Sequence, residues 1–235
     1  MKPRGYFISG TDTGVGKTIV TACLLTLFRK WGVSTGIMKP IETGVDPECS
    51  SESNSDAKFL LAVSGNKDTL EETCPIRLKP AAAPLQAARM ERRELEINRI
   101  LENFRLLQNR HDQILVEGIG GLMVPLRPDY LVADLALDLG LPLIVVSRVT
   151  LGTLNHTLLT LTAAKKAGID VAGVILNRME DRELNAVERE QAGLIRELSE
   201  TEVLGECLFI DKLSVERFDD EQLARKIETW INIAP

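Results

Sequence analysis

The run Gly10-Thr11-Asp12-Thr13-Gly14-Val15-Gly16-Lys17-Thr18 stands between a short apolar segment, Tyr6 to Ser9, and a stretch of helical periodicity, Thr18 to Lys30. A glycine-rich turn in that setting aims backbone N–H groups and a helix N-terminus at one point, which is how a chain cradles a triphosphate. Lys17 would reach the β and γ oxygens, and the Thr18 hydroxyl would sit on Mg2+. The strict phosphate-loop pattern has its first glycine at position 11; this chain has Thr11 there and the glycine one place earlier, so the loop is a variant.

Such a loop needs a parallel sheet to stand on, and the rest of the chain supplies its pattern. Apolar runs rich in Val and Ile alternate with helical stretches, the sign of βαβ units. The spacing predicts strands near Tyr6–Ser9, Thr35–Lys39, Gln113–Glu117, Leu143–Ser147, Val171–Leu176 and Val203–Glu206. Helices are predicted over Thr18–Lys30, Ser55–Ser64 and Leu154–Ala167, the last two stopping before Gly65 and Gly168, where a left-handed residue can end a helix. Pro40–Asn54 is polar and reads as a long loop, Pro80–Arg110 as a charged helical stretch that covers the sheet, and Met179–Glu190 as a solvated connection. With no repeat and no Pro- or Gly-rich linker, residues 1–235 are expected to form a single α/β domain, a mainly parallel central sheet flanked by helices.

Composition narrows the partners. Lys and Arg total 28 against 34 Asp and Glu, a net charge of -6, so the surface repels a polyanion and nucleic acid is not an expected partner. No stretch reaches the roughly 18 consecutive apolar residues of a membrane span, and no C-terminal amphipathic anchor stands out. The first residues run directly into Tyr6-Phe7-Ile8 without a leader pattern, so a cytoplasmic chain that avoids membranes is expected. Cys23, Cys49, Cys74 and Cys207 form no CxxC pair and read as reduced thiols.

A bound Mg2+ needs one or two carboxylates beside the phosphates. Glu117 closes the apolar run Ile114-Leu115-Val116 and precedes Gly118-Ile119-Gly120-Gly121, at the carboxyl edge of a strand where open α/β sheets bind ligands. Its other reading is an acid in a strand-end turn. Asp56 opens a helix, and taken alone it reads as a charge that complements the helix dipole. Lys39 ends the second strand on the same edge as the loop, where it could face a γ-phosphate; by spacing alone it reads as a solvated lysine before a turn.

Taken together, the run from Gly10 to Thr18, Lys39-Pro40 with Thr43-Gly44, Asn54-Ser55-Asp56, Val116 to Gly121 and Leu151-Gly152-Thr153-Leu154-Asn155-His156 resemble the dethiobiotin synthetase family in order and spacing. The resemblance covers roughly the first 180 residues and thins beyond Asn177 to Leu204-Gly205-Glu206. It implies a homodimeric phosphate-loop enzyme that uses ATP and Mg2+ to join 7,8-diaminononanoate and CO2 into dethiobiotin. By the same resemblance, Asp12, Thr13, Gly14, Val15, Gly16, Lys17 and Thr18 would hold the phosphates, with Gly118, Ile119 and Gly120 beside the nucleotide. Thr18, Asp56 and Glu117 would surround the metal. Lys39 matches the catalytic lysine and Lys17 assists it, while Thr11, Thr43 and Gly120 would touch substrate. Asn177 resembles the residue that reads adenine, and Asn155 the residue that reaches across the dimer to the substrate carboxylate. The chain departs from the family in lacking a proline in Cys207-Leu208-Phe209-Ile210.

The implied chemistry suits these residues. A neutral amine captures CO2 as a carbamate, the carbamate attacks the γ-phosphate, and the second amine closes the ring. Negative charge gathers between carbamate and triphosphate, so the site needs cations and helix N-termini more than an acid-base pair. His111 and His156 are then not required as proton carriers, and His156 is expected to act as a hydrogen-bonding residue at a helix start. The rival phosphate-loop switch ATPases, which act on DNA or membrane, carry a lysine where this chain has Asp12.

Overall fold

The computed structural model describes residues 5–46, 55–211 and 214–233. In chain order the strands are β1 (Gly5–Gly10), β2 (Thr35–Met38), β3 (Ile41–Thr43), β4 (Ile76–Leu78), β5 (Gln113–Glu117), β6 (Pro125–Arg127), β7 (Tyr130–Leu131), β8 (Leu143–Arg148), β9 (Val171–Asn177) and β10 (Val203–Cys207). The helices are α1 (Lys17–Lys30), α2 (Asp56–Ser64), α3 (Leu70–Thr73), α4 (Pro84–Met90), α5 (Ile97–Arg110), α6 (Val132–Leu139), α7 (Thr153–Ala167), α8 (Ala186–Ser199), α9 (Val215–Phe218) and α10 (Glu221–Trp230).

Six strands form one sheet in the order β10-β9-β8-β1-β5-β2, with every neighbouring pair parallel. Period-two alternation sends successive side chains to opposite faces. Phe7, Ile114, Val116, Leu143, Val145, Val174 and Leu176 pack on the face covered by α4 to α8. Tyr6, Ile8, Leu115, Ile144, Val146 and Ile175 pack on the other, with α1, α2, α9 and α10. Both faces are therefore dry, as the continuous apolar runs require. Phe7 is fully buried, and truncating such a residue costs about 3–5 kcal/mol.

β1 lies between β5 and β8, where the connections turn outward in both directions. The loops after β1, β2, β5 and β8 consequently meet over one carboxyl edge, the usual ligand position in such sheets.

The predicted strands and helices stand within a residue or two of the observed ones, and three expectations change. The segment from Pro40 is no plain loop at its start, because Ile41–Thr43 pairs in parallel with Ile76–Leu78; residues 47–54 lie outside the described residues. Local periodicity cannot reveal a three-residue strand whose partner lies far along the chain. The Met179–Glu190 connection gives way to α8 at Ala186, where Asn185 and Glu188 form a reciprocal capping box. Glu188 looks solvated in sequence but is buried against the Arg182 guanidinium, which holds its pKa at about 2 with help from the Asn185 N–H. The C-terminal α10 is amphipathic after all, yet Leu223, Ala224 and Ile227 are buried and the helix packs on α1.

Cys23, Cys74 and Cys207 are free and fully buried, and Cys49 lies outside the described residues. The Cys23 and Cys207 sulfurs are 3.6 Å apart between α1 and β10; burial, with Cys207 adding, pushes the Cys23 thiol well up.

Candidate active site

The loop after β1 turns through Gly14 (φ 72°) and Gly16 (φ 89°), left-handed conformations that favour glycine, and α1 starts at Lys17. The shifted first glycine has a physical reason. A Cβ at Gly10 would lie 2.7 Å from the Asp12 carbonyl oxygen and 3.0 Å from Lys17 Nζ, so the close approach is needed at position 10, and Thr11 is tolerated.

Lys17 is buried, and its ammonium donates to the Asp12 carbonyl at 3.2 Å. Burial pulls its pKa down to about 8, against the opposing pull of Glu117 and with Lys39 adding to the drop. Glu117 at the end of β5 is fully buried; its Oε1 accepts from the Thr18 hydroxyl at 3.0 Å and from Lys39 Nζ at 2.5 Å. Asp56 Oδ2 accepts from the same ammonium at 3.0 Å. Lys39 is thus 4% exposed and doubly ion-paired, which overturns the solvated-lysine reading. Burial opposes its charge, but Glu117 and Asp56 together outweigh that and hold its pKa above the ordinary lysine range. Likewise Asp56 does more than complement a helix dipole, and Glu117 is more than a turn acid.

The oxygen set fits Mg2+. The Thr18 hydroxyl and Asp56 lie with Glu117, whose buried Oε2 has no hydrogen-bond partner. Among the described residues no three His, Cys, Asp or Glu side chains gather as a metal cage. Mg2+ keeps waters and takes phosphate oxygens alongside one or two carboxylates, so a hydroxyl and two carboxylates are a sufficient set.

A cleft of about 420 Å3 brings together Thr13, Gly14, Gly16, Lys17, Thr18, Lys39, Thr43, Asp56, Glu117, Ile119 and Gly120. Clefts of about 380 and 400 Å3 lie elsewhere on the chain, so charge and chemistry distinguish this one, not size. Other predicted residues stand around it. Val15 and Gly118 are buried behind the loop. Asp12 is exposed, 3.8 Å from the Arg148 guanidinium, and Thr11 Oγ1 lies 3.4 Å from Ser147 Oγ. Asn177 is fully buried against the loop, its Nδ2 donating to the Val15 carbonyl at 3.0 Å while Oδ1 is without a partner.

Asn155 is exposed in the first turn of α7 and does not line the cleft of its own chain. His156 corrects its expectation, because its exposed ring has no hydrogen-bond partner among the described residues and only its backbone bonds within the helix start. His111 lies at the opposite, amino edge of the sheet, bonded to Ser34 and Asp68.

Two residues escaped the sequence reading. Arg148 ends β8 at the same carboxyl edge, and the rule that picked out Lys39 could have found it. Glu42 is buried in the cleft wall, where burial raises its pKa against the bond from Ser55; nothing in a single sequence marks it.

A parallel sheet whose central strand feeds a left-handed glycine loop, a helix-start lysine and a Thr–Glu pair defines a P-loop nucleotide-binding protein. The comparisons agree. Solved structures similar in fold include a ParA family ATPase from Chlorobium tepidum TLS (TM-score 0.58, 14% identity, covering 97% of this chain and 98% of that one). The MinD cell division protein of Aquifex aeolicus is also similar (TM-score 0.59, 16% identity, 95% and 93%). At such identities the likeness concerns the fold alone. A family model described as AAA domain matches residues 4–217. The ATP-dependent dethiobiotin synthetase BioD of Thermodesulfovibrio yellowstonii is 43% identical over 97% of this chain and 99% of its own length. Those of Bacillus cereus strain G9842 (38%, covering 98% and 92%) and Anaeromyxobacter sp. strain K (46%, 74% and 77%) are also similar. The chain belongs to the ATP-dependent dethiobiotin synthetase family, enzymes of biotin biosynthesis with ATP as co-substrate and Mg2+ as its usual partner. The similarity runs well beyond the first 180 residues, since the first of these alignments spans 97% of the chain. Among the described residues no helix is long and apolar enough to cross a membrane.

Proposed function

We propose that this chain, acting as one synthetase domain over residues 1–235 and as a cytoplasmic homodimer, converts 7,8-diaminononanoate, CO2 and ATP into dethiobiotin, ADP and phosphate. The observation that carries this reading is the meeting of two buried ammonium groups, Lys17 and Lys39, with Glu117, Asp56 and the glycine loop on one cleft. No general acid-base pair stands among them.

An amine of the substrate adds to CO2 and loses its proton to solvent, leaving a carbamate. A carbamate oxygen then forms a bond to the γ-phosphorus as the bond to the bridging oxygen of ADP breaks. The second amine attacks the carbonyl carbon of the mixed anhydride, expels phosphate and gives up a proton to it, closing the cyclic urea. Loop N–H groups and Lys17 hold the β and γ oxygens, so they neutralise charge as it spreads over the transferring group. Lys39, whose charge Glu117 and Asp56 favour, would face the carbamate and the phosphoryl oxygens, with Thr11, Thr43 and Gly120 as further substrate contacts. Thr18, Asp56 and Glu117 would hold Mg2+, which when bound screens the phosphate charge. Gly118, Ile119 and Gly120 flank the nucleotide, and the unpartnered Asn177 Oδ1 is an acceptor for the adenine amino group. The chain, ATP, Mg2+, bicarbonate and the diamine together should yield a cyclic urea detectable by mass; ATP hydrolysis with no such product would defeat the reading.

The homodimer is supported by α7. Its sequence holds no charged residue before Lys165, and Leu151 and Leu159 are 89% and 61% exposed on either side of Asn155. Free N–H groups at this helix start, with the Asn155 amide, can hold a carboxylate without a formal charge. The reading has them serve the site of the other subunit. Asn155→Ala should therefore weaken diamine binding and leave ATP affinity nearly unchanged. Mixing Asn155→Ala with Lys39→Ala subunits should restore activity in the hybrid dimer. No rescue, with subunit exchange confirmed, would place the whole site in one chain.

A further inference from the structure

We infer that Glu42 is a positioning residue that acts through Asp56, an inference that rests on the proposed role of Asp56 at Mg2+. The first N–H groups of a helix have no partner within it and need one from outside. At the start of α2 the Ser55 hydroxyl takes the Lys58 N–H at 3.2 Å, the ordinary cap. The Asp56 N–H is taken by a carboxylate from another element: Glu42 Oε1 accepts it at 2.5 Å, while Oε2 accepts from the Ser55 hydroxyl at 2.7 Å. Glu42 is 5% exposed, and both of its oxygens are turned to the helix start.

The consequence is geometric. Glu42 sits in β3 beside Thr43, which lines the cleft, and three residues after Lys39. Its carboxylate ties that strand to the backbone of the residue whose side chain meets Lys39 Nζ at 3.0 Å. A negative charge at a helix N-terminus is favourable in itself, and here it also fixes where the Asp56 carboxylate stands relative to Thr18 and Glu117. Partners that orient a metal ligand typically change affinity by about 10–100-fold when removed.

The test uses the full chain with a non-hydrolysable ATP analogue and Mn2+ in place of Mg2+, reading free Mn2+ by electron paramagnetic resonance. Glu42→Ala is expected to weaken Mn2+ binding about tenfold. Glu42→Gln, which can accept from the Asp56 N–H and donate to Ser55, should stay within about threefold of the native protein. Asp56→Ala should weaken binding at least as much as Glu42→Ala, and the double variant should be no weaker than Asp56→Ala alone, the signature of one residue acting through the other. Amide exchange at Asp56 should accelerate in Glu42→Ala. If that variant does not fold, Glu42→Asp, one methylene too short to reach, is judged by the same comparison. Native Mn2+ affinity in Glu42→Ala beside a weakened Asp56→Ala would overturn the inference, as would a further loss in the double variant, which would mean that Glu42 meets the metal itself. Native affinity in Asp56→Ala would instead sink the metal role of Asp56 on which the inference stands.

Discussion

Lys39→Ala is expected to lower kcat roughly a thousandfold, about 4 kcal/mol of barrier, with the KM for ATP changed only a few-fold. The ammonium is buried in the cleft, and in the proposed mechanism carbamate and phosphoryl charge meet beside it, so its loss should be felt in the transition state more than in nucleotide binding. A second effect accompanies it. Glu117 is fully buried, and without Lys39 its carboxylate keeps only the Thr18 hydroxyl, which should cost the nucleotide-free protein on the order of 3 kcal/mol. Thermal melting with and without Mg2+ and an ATP analogue separates the two effects, because a metal held by Glu117, as proposed, would replace the missing positive charge. A near-native kcat would reduce Lys39 to a counter-ion for Glu117.

Lys17→Ala should cost about 3–4 kcal/mol in kcat/KM, since it removes the cation proposed to touch the β and γ oxygens. The depressed pKa of this lysine gives a finer test. Burial leaves it near 8 in the nucleotide-free protein, so above that pH the free site is increasingly neutral. A triphosphate favours the ammonium, and binding at pH 8.5 must then take up a proton, well above the last phosphate ionisation at about 6. Calorimetric enthalpies at pH 8.5 should vary with the ionisation enthalpy of the buffer, and less so at pH 7. Lys17→Arg, which stays charged, should bind without that dependence; an uptake that persists in it would assign the proton to another group. The stability sign is opposite to that of an ion-paired lysine. Its folded pKa lies below the unfolded 10.5, so the cost of burying the charge is full below pH 8 and relaxes between 8 and 10.5.

The sequence made the sheet legible because each central strand is an apolar run bounded by turns and buried on both faces. The phosphate loop was legible for a related reason, since glycine, lysine and threonine at that spacing have few other uses after a strand. What stayed hidden depended on contacts between distant segments. Glu117 stood out as an acid at a strand edge, but Lys39 and Asp56 are unremarkable at their own positions and only the family resemblance joined them to it; β2, α2 and β5 bring both carboxylates within 3.0 Å of the Lys39 ammonium. Glu42 was invisible because its partners, Ser55 and Asp56, lie across the segment that was read as one loop. Glu188 misled because a run of charges looks solvated until Arg182 folds onto it.

The sealed thiols described above turn the enzyme into its own strain gauge. Alkylation needs an exposed thiolate, so a reagent can reach Cys23, Cys74 or Cys207 only through a transient breach of the core, and its rate reports how often that breach occurs. Cys23 and Cys207 face each other across the α1–β10 joint and should register together any lifting of the phosphate-loop helix from the sheet edge. Cys74, just after α3, monitors the wall beneath Lys39, whose backbone N–H is held by the Thr73 carbonyl. With Cys49 replaced by serine, nucleotide-dependent slowing of one gauge and not the other would reveal which half of the cleft tightens when ATP arrives.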